Sequence, residues 1–189
     1  MVYEAMRQNT SVVIIANPDL RVAPDLILYL LDSGIPRENI LITRGNDRDQ
    51  VAAYNFAVEA SLRNNVEYCM FADADIRPHS GTDPMLAAPY DFTCAMAETE
   101  LGMKSWSQPD AFHSGMWIAK REALKRIPGP WFGWTYNPNH SSILACVCES
   151  FSQKVKAAGM TIGHAGHAHH WPRGKEMPSV LRLIEPHAK

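Results

Sequence analysis

The chain has no long hydrophobic run. Nowhere do the roughly 20 consecutive apolar residues occur that a bilayer-crossing helix needs, so no membrane span is expected. Cysteine is scarce: of Cys69, Cys94, Cys146 and Cys148 none forms a C-x-x-C pair, and three lie in apolar segments. That argues against a disulfide-built scaffold and predicts buried free thiols in a reducing compartment. Charge of one sign is also lacking. Lys and Arg number 18 against 20 Asp and Glu, a formal net charge of −2, which gives no support for nucleic acid as a partner. Neither G-x-x-x-x-G-K-[ST] nor G-x-G-x-x-G occurs, so a P-loop nucleotidase and a Rossmann dehydrogenase are poor fits. The opening MVYEAMRQNT has no basic stretch leading into an apolar one, so no secretory signal is expected and the expected location is cytoplasmic. Repeats, low-complexity tracts and clear linkers are absent, which for 189 residues predicts one domain spanning 1–189.

What is present begins with SVVIIAN (Ser11 to Asn17), a continuous β-branched run of the kind buried in a parallel sheet. Pro24 opens a helix that Gly34 ends. Asn39 to Gly45 reads as a second strand, and NDRDQVAAYNFAVEASLRNN as a helix with Val51, Tyr54, Val58 and Leu62 on one stripe. Val66 to Ala72 is a third strand. The βαβαβ order predicts an α/β fold whose mixed, mostly parallel central sheet is flanked by helices. Further on, Asp91 to Ala97 reads as a strand, Glu98 to Asp110 as a loop and Ala111 to Ala119 as a strand. KREALKRI is a short helix, and PGPWFGWTYNPNHSS a loop dense in Pro, Gly, Trp and Asn. Ile143 to Gly159 reads as an amphipathic helix and MTIGHA as a short strand, with the histidine-rich GHAHHWPRGKE beyond it.

The stretch FADAD places Asp73 and Asp75 where the third strand ends. Ligands of open parallel sheets bind beyond the carboxyl ends of strands. Residues two apart in an extended chain point the same way, so both carboxylates can face one point. Hard divalent ions take such oxygens and share themselves with substrate phosphates. The ordinary alternative is a solvated turn in which Asp75 caps the next segment.

FADAD after an apolar strand, YNFAVEASLRNNVEYCMF before it, HSGMWIAKREAL beyond it and CESFSQKVKAAGMTIGHA after that resemble, in this order, the blocks of GT-A fold nucleotide-sugar glycosyltransferases, nearest the family 2 type. The resemblance covers about Ser11 to Trp171. It implies a nucleotide-binding half over about 11–80 and an acceptor and catalytic half over about 81–175. It further implies Asp75 as a direct ligand of Mn²⁺ or Mg²⁺. Asp73 would lie on the donor's ribose or reach the metal through water. Asn17, Arg44, Asn46 and Asp47 would lie around the nucleotide base. Asn17 before Pro18 is also good turn chemistry, and Asn46 or Asp47 can simply cap a helix.

In that family the base is the second residue of an E-D pair at the start of the helix that ends in glycine. Counting back from Gly159, that place falls on Cys148, with Glu149 one position later. Glu149 is therefore the expected catalytic base, its alternative being a surface glutamate paired with Lys154 or Lys156. Without a base the enzyme is expected to retain rather than invert configuration. One C-terminal histidine often completes the family's metal site. Among His164, His167, His169 and His170 the expectation is His169 first and His167 second, against an exposed loop of polar histidines. Zinc held by these histidines with Cys146 and Cys148 is a remote option, since no standard spacing is present. Arg173 and Lys175 are candidates to close over the diphosphate, the alternative being a solvated tail. Trp131 and Trp134 are candidates for a sugar-stacking acceptor platform, with loop packing as the alternative, His113 and Ser114 for acceptor contacts, and Trp117 for the core; Trp106 and Trp171 complete the five tryptophans.

These readings converge on a metal-dependent, inverting glycosyltransferase that uses a nucleoside-diphosphate sugar, UDP being expected on family grounds. The acceptor is open between a glycan, a protein and a modified nucleic-acid base. A nucleotidyltransferase is the nearest rival, although ANPDLRVAPD lacks the glycine-rich basic loop that would hold a triphosphate. A non-catalytic nucleotide-sugar-binding module is the rival from another class, kept alive by Cys148.

Overall fold

Val12, Val13 and Ile14 expose no surface. A strand apolar at every position stays in place only if both faces of its sheet are covered. The computed structural model describes residues 6–16, 19–44, 50–99, 102–103, 111–140, 142–171 and 176–177. Its strands are β1 (Thr10–Ala16), β2 (Ile40–Arg44), β3 (Tyr68–Asp73), β4 (Ile76–Arg77), β5 (Phe92–Thr99), β6 (Gly102–Met103), β7 (Met116–Lys120), β8 (Thr135–Tyr136), β9 (Ile143–Ala145) and β10 (Ile162–His170). The main sheet has the order β2-β1-β3-β7-β5-β10-β4, with β6 beside β5. Strands β2, β1, β3, β5 and β10 run one way, and β7, β4 and β6 run against them. This is the mixed, mostly parallel sheet expected from the sequence.

Helix α1 (Pro24–Asp32) starts on its proline and buries Leu26 and Leu30. The chain leaves it through Gly34 at φ 82°, a left-handed position that glycine adopts without penalty. Helix α2 (Gln50–Arg63) buries Ala53, Tyr54, Ala57, Val58 and Ser61, with Val51 and Leu62 packed at the margin of the same cluster. Helices α2, α3 (Arg121–Arg126) and α4 (Val147–Ala157) cover one face, and α1 with a 3-10 segment, Ser80–Ala87, covers the other. The first face is largely aromatic. Trp117 stacks on Phe71 at 4.0 Å and meets Phe112 edge-on at 4.9 Å, and Phe132 stacks on Phe151 at 4.6 Å.

Four local readings of the sequence need correction. Strand β5 runs on to Thr99 and turns back into β6, where a loop was expected from Glu98. The strand expected from Ala111 begins at Met116. The helix expected from Ile143 begins at Val147, because Ile143–Ala145 pairs with β8 inside the segment read as a loop. The last strand does not stop at MTIGHA but continues to His170, hydrogen-bonded to β5 on one side and β4 on the other. Its composition conceals it, since glycine weakens strands and usually marks a close approach. A Cβ on Gly163 would lie 2.2 Å from the Tyr90 ring, and one on Gly166 2.7 Å from the Thr82 carbonyl oxygen. The backbone of the 3-10 segment leaves no room for a larger residue at Gly166, and the Tyr90 ring beyond that segment lies over Gly163.

Candidate active site

Asp73 is the last residue of β3, and its backbone and those of the next two residues are gripped from four directions. The Asp73 N–H donates to the Gly115 carbonyl at 2.8 Å, and the Ala74 N–H to that of Ile15 at 3.1 Å. The Ala74 carbonyl accepts from the Ala23 N–H at 2.7 Å, and the Asp75 carbonyl from the Trp171 N–H at 2.6 Å. The two carboxylates are thereby fixed on rigid supports at the carboxyl end of a central strand.

Their environments differ. Asp73 is half-buried, and Tyr54 Oη on α2 donates to its Oδ1 at 2.6 Å. Burial raises the Asp73 carboxyl to about 7; the Tyr54 hydrogen bond and nearby His170 oppose the rise, and Asp75 adds to it. Burial, then the Asp73 charge, holds the Tyr54 phenol well above its ordinary range, so Tyr54 keeps its proton and stays a donor. Asp75 is half exposed, and its Oδ2 lies 3.4 Å from His170 Nδ1.

The histidines sort differently from the expectation. Residues adjacent on a strand point to opposite faces, and an irregularity in β10 between His164 and His167 resets the phase. His170 is the one that meets Asp75. His167 and His169, the two expected at a metal, face His79 instead, with ring centroids 4.9 Å and 4.8 Å away. His79 in turn caps the 3-10 segment, its Nδ1 accepting from the Gly81 N–H at 3.0 Å.

On the other flank, α4 presents Cys148, whose Sγ donates to Ser114 Oγ at 3.3 Å. Burial pushes this thiol above its ordinary range, and the Asp73 charge adds to the rise. Glu149, the expected base, is exposed in the first turn of α4. Ser114 is buried. His113 is half-buried, its Nδ1 accepting from the Gly115 N–H at 3.4 Å. Trp131 is half-buried, packs against the core and donates its indole N–H to the Leu124 carbonyl at 3.2 Å. Trp134 remains exposed. Arg44 closes β2. Asn17, Asn46, Asp47, Arg173, Lys175 and Trp106 lie outside the described residues.

Sequence reasoning placed Tyr54 on an apolar stripe and no further. The available signal was its hydroxyl, since a tyrosine buried among alanines and valines needs a polar partner. The donor set fits one kind of metal and not another. Among the described residues no three His, Cys, Asp or Glu side chains converge on a point that would hold an ion, and Cys148 is spent on Ser114, so the zinc option finds no support. Two carboxylates at i and i+2, one of them open to solvent, suit an ion that takes its remaining ligands from phosphate and water.

No protein-family model matches the chain, and no curated protein is similar to it. Among solved structures, A197 from STIV is similar over 91% of this chain and 91% of its own, with 16% identity and a TM-score of 0.56. The inositol-1-phosphate CTP transferase from T. maritima is similar over 94% of each chain, with 8% identity and a TM-score of 0.52. At such identities the likeness is one of fold.

Proposed function

We propose that this chain is a metal-dependent glycosyltransferase that moves a sugar from a nucleoside diphosphate, UDP by preference, to a hydroxyl acceptor. The observation that carries the proposal is the pair Asp73 and Asp75 at the end of a central strand, backbone-clamped, with one carboxylate hydrogen-bonded to Tyr54 and the other open beside His170. Asp75 and Asp73 would hold Mn²⁺ or Mg²⁺, with His170 rather than His167 or His169 as the histidine at hand. When bound, such an ion supplies a counter-charge for the departing diphosphate.

In the inverting form of the reaction, the acceptor oxygen bonds to the anomeric carbon as the carbon–oxygen bond to the diphosphate breaks. The bonding pair leaves with the diphosphate, and the acceptor's proton passes to a base. Glu149 is the proposed base: its carboxylate stands at the opening of α4, one residue from Cys148, which touches the buried network. Cys148 itself is unsuited, since a thiol held protonated by burial is a poor proton acceptor.

One observation favours a second reading, that of a nucleotidyltransferase. The side chain that faces the carboxylates from α4 is a thiol, not an acid, and a phosphate acceptor arrives already ionised and needs no base. The absence of glycine between Ala16 and Asp25 weighs against it.

A thermal-shift screen of nucleoside diphosphates and triphosphates with and without Mn²⁺ tests both. A true donor nucleotide at a hundred times its dissociation constant adds about 2.7 kcal/mol. UDP with Mn²⁺ is expected to stabilise the wild type, and Asp75→Ala to remove the metal-dependent part. Stabilisation by CTP but not by diphosphates selects the second reading, and a shift that survives Asp75→Ala overturns the metal assignment.

A further inference from the structure

Strands β8 and β9 form a two-stranded hairpin apart from the main sheet, and both ends of it are rooted at the candidate site. At its entry, Asn55 on α2 holds Phe132 by two hydrogen bonds of 3.0 Å, Nδ2 to the carbonyl oxygen and N–H to Oδ1. The Phe132 ring lies 5.0 Å from that of Tyr54, the donor to Asp73. At its exit the chain passes through Cys146 directly into the first turn of α4, which carries Cys148 and Glu149. Between these roots Trp134, Tyr136, Ile143 and Leu144 are exposed by 38%, 41%, 52% and 60%, in a protein whose other large side chains are mostly buried.

Tyr136 is directly opposite Ile143 in the ladder, which puts their side chains on one face. Trp134 is exposed in the chain that leads into β8, two residues before Tyr136. The ladder slips between its two pairs, leaving Leu144 as the extra residue. The Tyr136 ring also lies 5.5 Å from that of His140.

What such a surface takes depends on its tip. A hairpin that dips into lipid carries its apolar residues at the turn. Here the turn reads Asn137-Pro138-Asn139-His140, closed by Asn137 N–H to the Ser142 carbonyl at 3.0 Å and His140 N–H to that of Asn137 at 2.9 Å. Amides and an imidazole are costly to desolvate but are good partners for hydroxyls. Aromatic faces flanked by such groups suit sugar rings, whose C–H faces stack while their hydroxyls bond at the rim.

We propose that the β8–β9 hairpin is a carbohydrate-binding surface that seats a glycan acceptor beside Glu149, with Trp134 and Tyr136 as its stacking platform. The role as acceptor seat rests on the glycosyltransferase reading; the carbohydrate binding does not.

The test is ligand-observed NMR on the full-length protein with four unlabelled tetrasaccharides, built of glucose, mannose, galactose and N-acetylglucosamine. At least one is expected to bind the wild type. Trp134→Ala and Tyr136→Ala are each expected to weaken that binding tenfold or more, while Trp134→Phe keeps most of it. An unaltered melting temperature shows that the variants are folded. No binding to any of the four overturns the proposal, as does binding that both alanine variants retain. So does co-sedimentation with phosphatidylcholine–phosphatidylglycerol vesicles, or self-association, that is lost in Trp134→Ala. The UDP and Mn²⁺ shift is read on the wild type in parallel. Tetrasaccharide binding without that shift overturns the donor reading alone, and the shift without tetrasaccharide binding overturns the hairpin alone.

Discussion

Tyr54 donates to Asp73 Oδ1 from within the core, and that single hydrogen bond joins stability to chemistry. Tyr54→Phe leaves a half-buried carboxylate without its donor, expected to cost about 1–3 kcal/mol, measurable by urea denaturation. The same change takes away the hydrogen bond that lowers the Asp73 carboxyl, so metal-dependent nucleotide binding is expected to require a higher pH in the variant. Asp73 carries a second prediction. Its native carboxyl titrates at about 7, against about 3.9 in an unfolded chain. Between those values the native state holds a proton that the unfolded state has released, so stability falls as pH rises through that window. The fall is expected to be smaller in Asp73→Asn, as read from urea midpoints between about pH 5 and pH 8. Divalent binding runs the other way: the cation competes with that proton, and the Mn²⁺-dependent shift of the wild type is expected to grow from about pH 6 to about pH 8. At this scale the two aspartates were legible in the sequence because an apolar strand ran straight into them. Tyr54 was legible only as a hydrophobe, since nothing in a helical stripe reveals what a hydroxyl meets 19 residues away.

Strand β10 is the element on which sequence and structure diverge most. Its β-propensity is low, and it is held by ladders to β5 and β4 and by the close fit of Tyr90 and Thr82 over Gly163 and Gly166, none of which a local pattern encodes. His167 and His169 share one side of an extended segment, as expected, but that side faces His79, and His170 on the opposite side arrives at Asp75. Gly166 sits at φ 73°, where an L-residue costs roughly 1–2 kcal/mol, and the approach to Thr82 adds to that. Gly166→Ala is therefore expected to destabilise the protein by about 2 kcal/mol or more in urea denaturation. It is also expected to weaken Mn²⁺-dependent nucleotide binding by displacing His170. The first three strands and two helices, by contrast, were readable to within a few residues, because β-branched runs, a proline at a helix start and a glycine at its end act within a single turn.

At the scale of the whole molecule, β7 matters most. It lies between β3 and β5 and runs against both, and its Trp117 stacks on Phe71 while packing on Phe112. The half that ends in the aspartate pair and the half that carries α4 and β10 thus share one strand and one aromatic cluster. A single unfolding transition is expected, with tryptophan fluorescence and far-ultraviolet circular dichroism coinciding in urea. Phe151→Ala, at the centre of that cluster, is expected to cost about 3–5 kcal/mol while keeping the transition single; separated transitions would mean that the halves fold independently. The βαβαβ order announced a sheet but not this antiparallel junction, since strand direction beyond the third strand depends on crossovers that loops of uncertain length leave open.

The grip on Asp73, Ala74 and Asp75 by Gly115, Ile15, Ala23 and Trp171 also fixes how many residues the motif must have. Four remote parts of the chain each dock to a set peptide unit, so an inserted residue finds no slack to take it up. A glycine added between Ala74 and Asp75 is expected to abolish the metal response, whereas one added after Asn139, at the hairpin's solvent-facing bend, should leave it intact. Length variation in this protein is tolerable at the bend of the β8–β9 hairpin and forbidden at the end of β3.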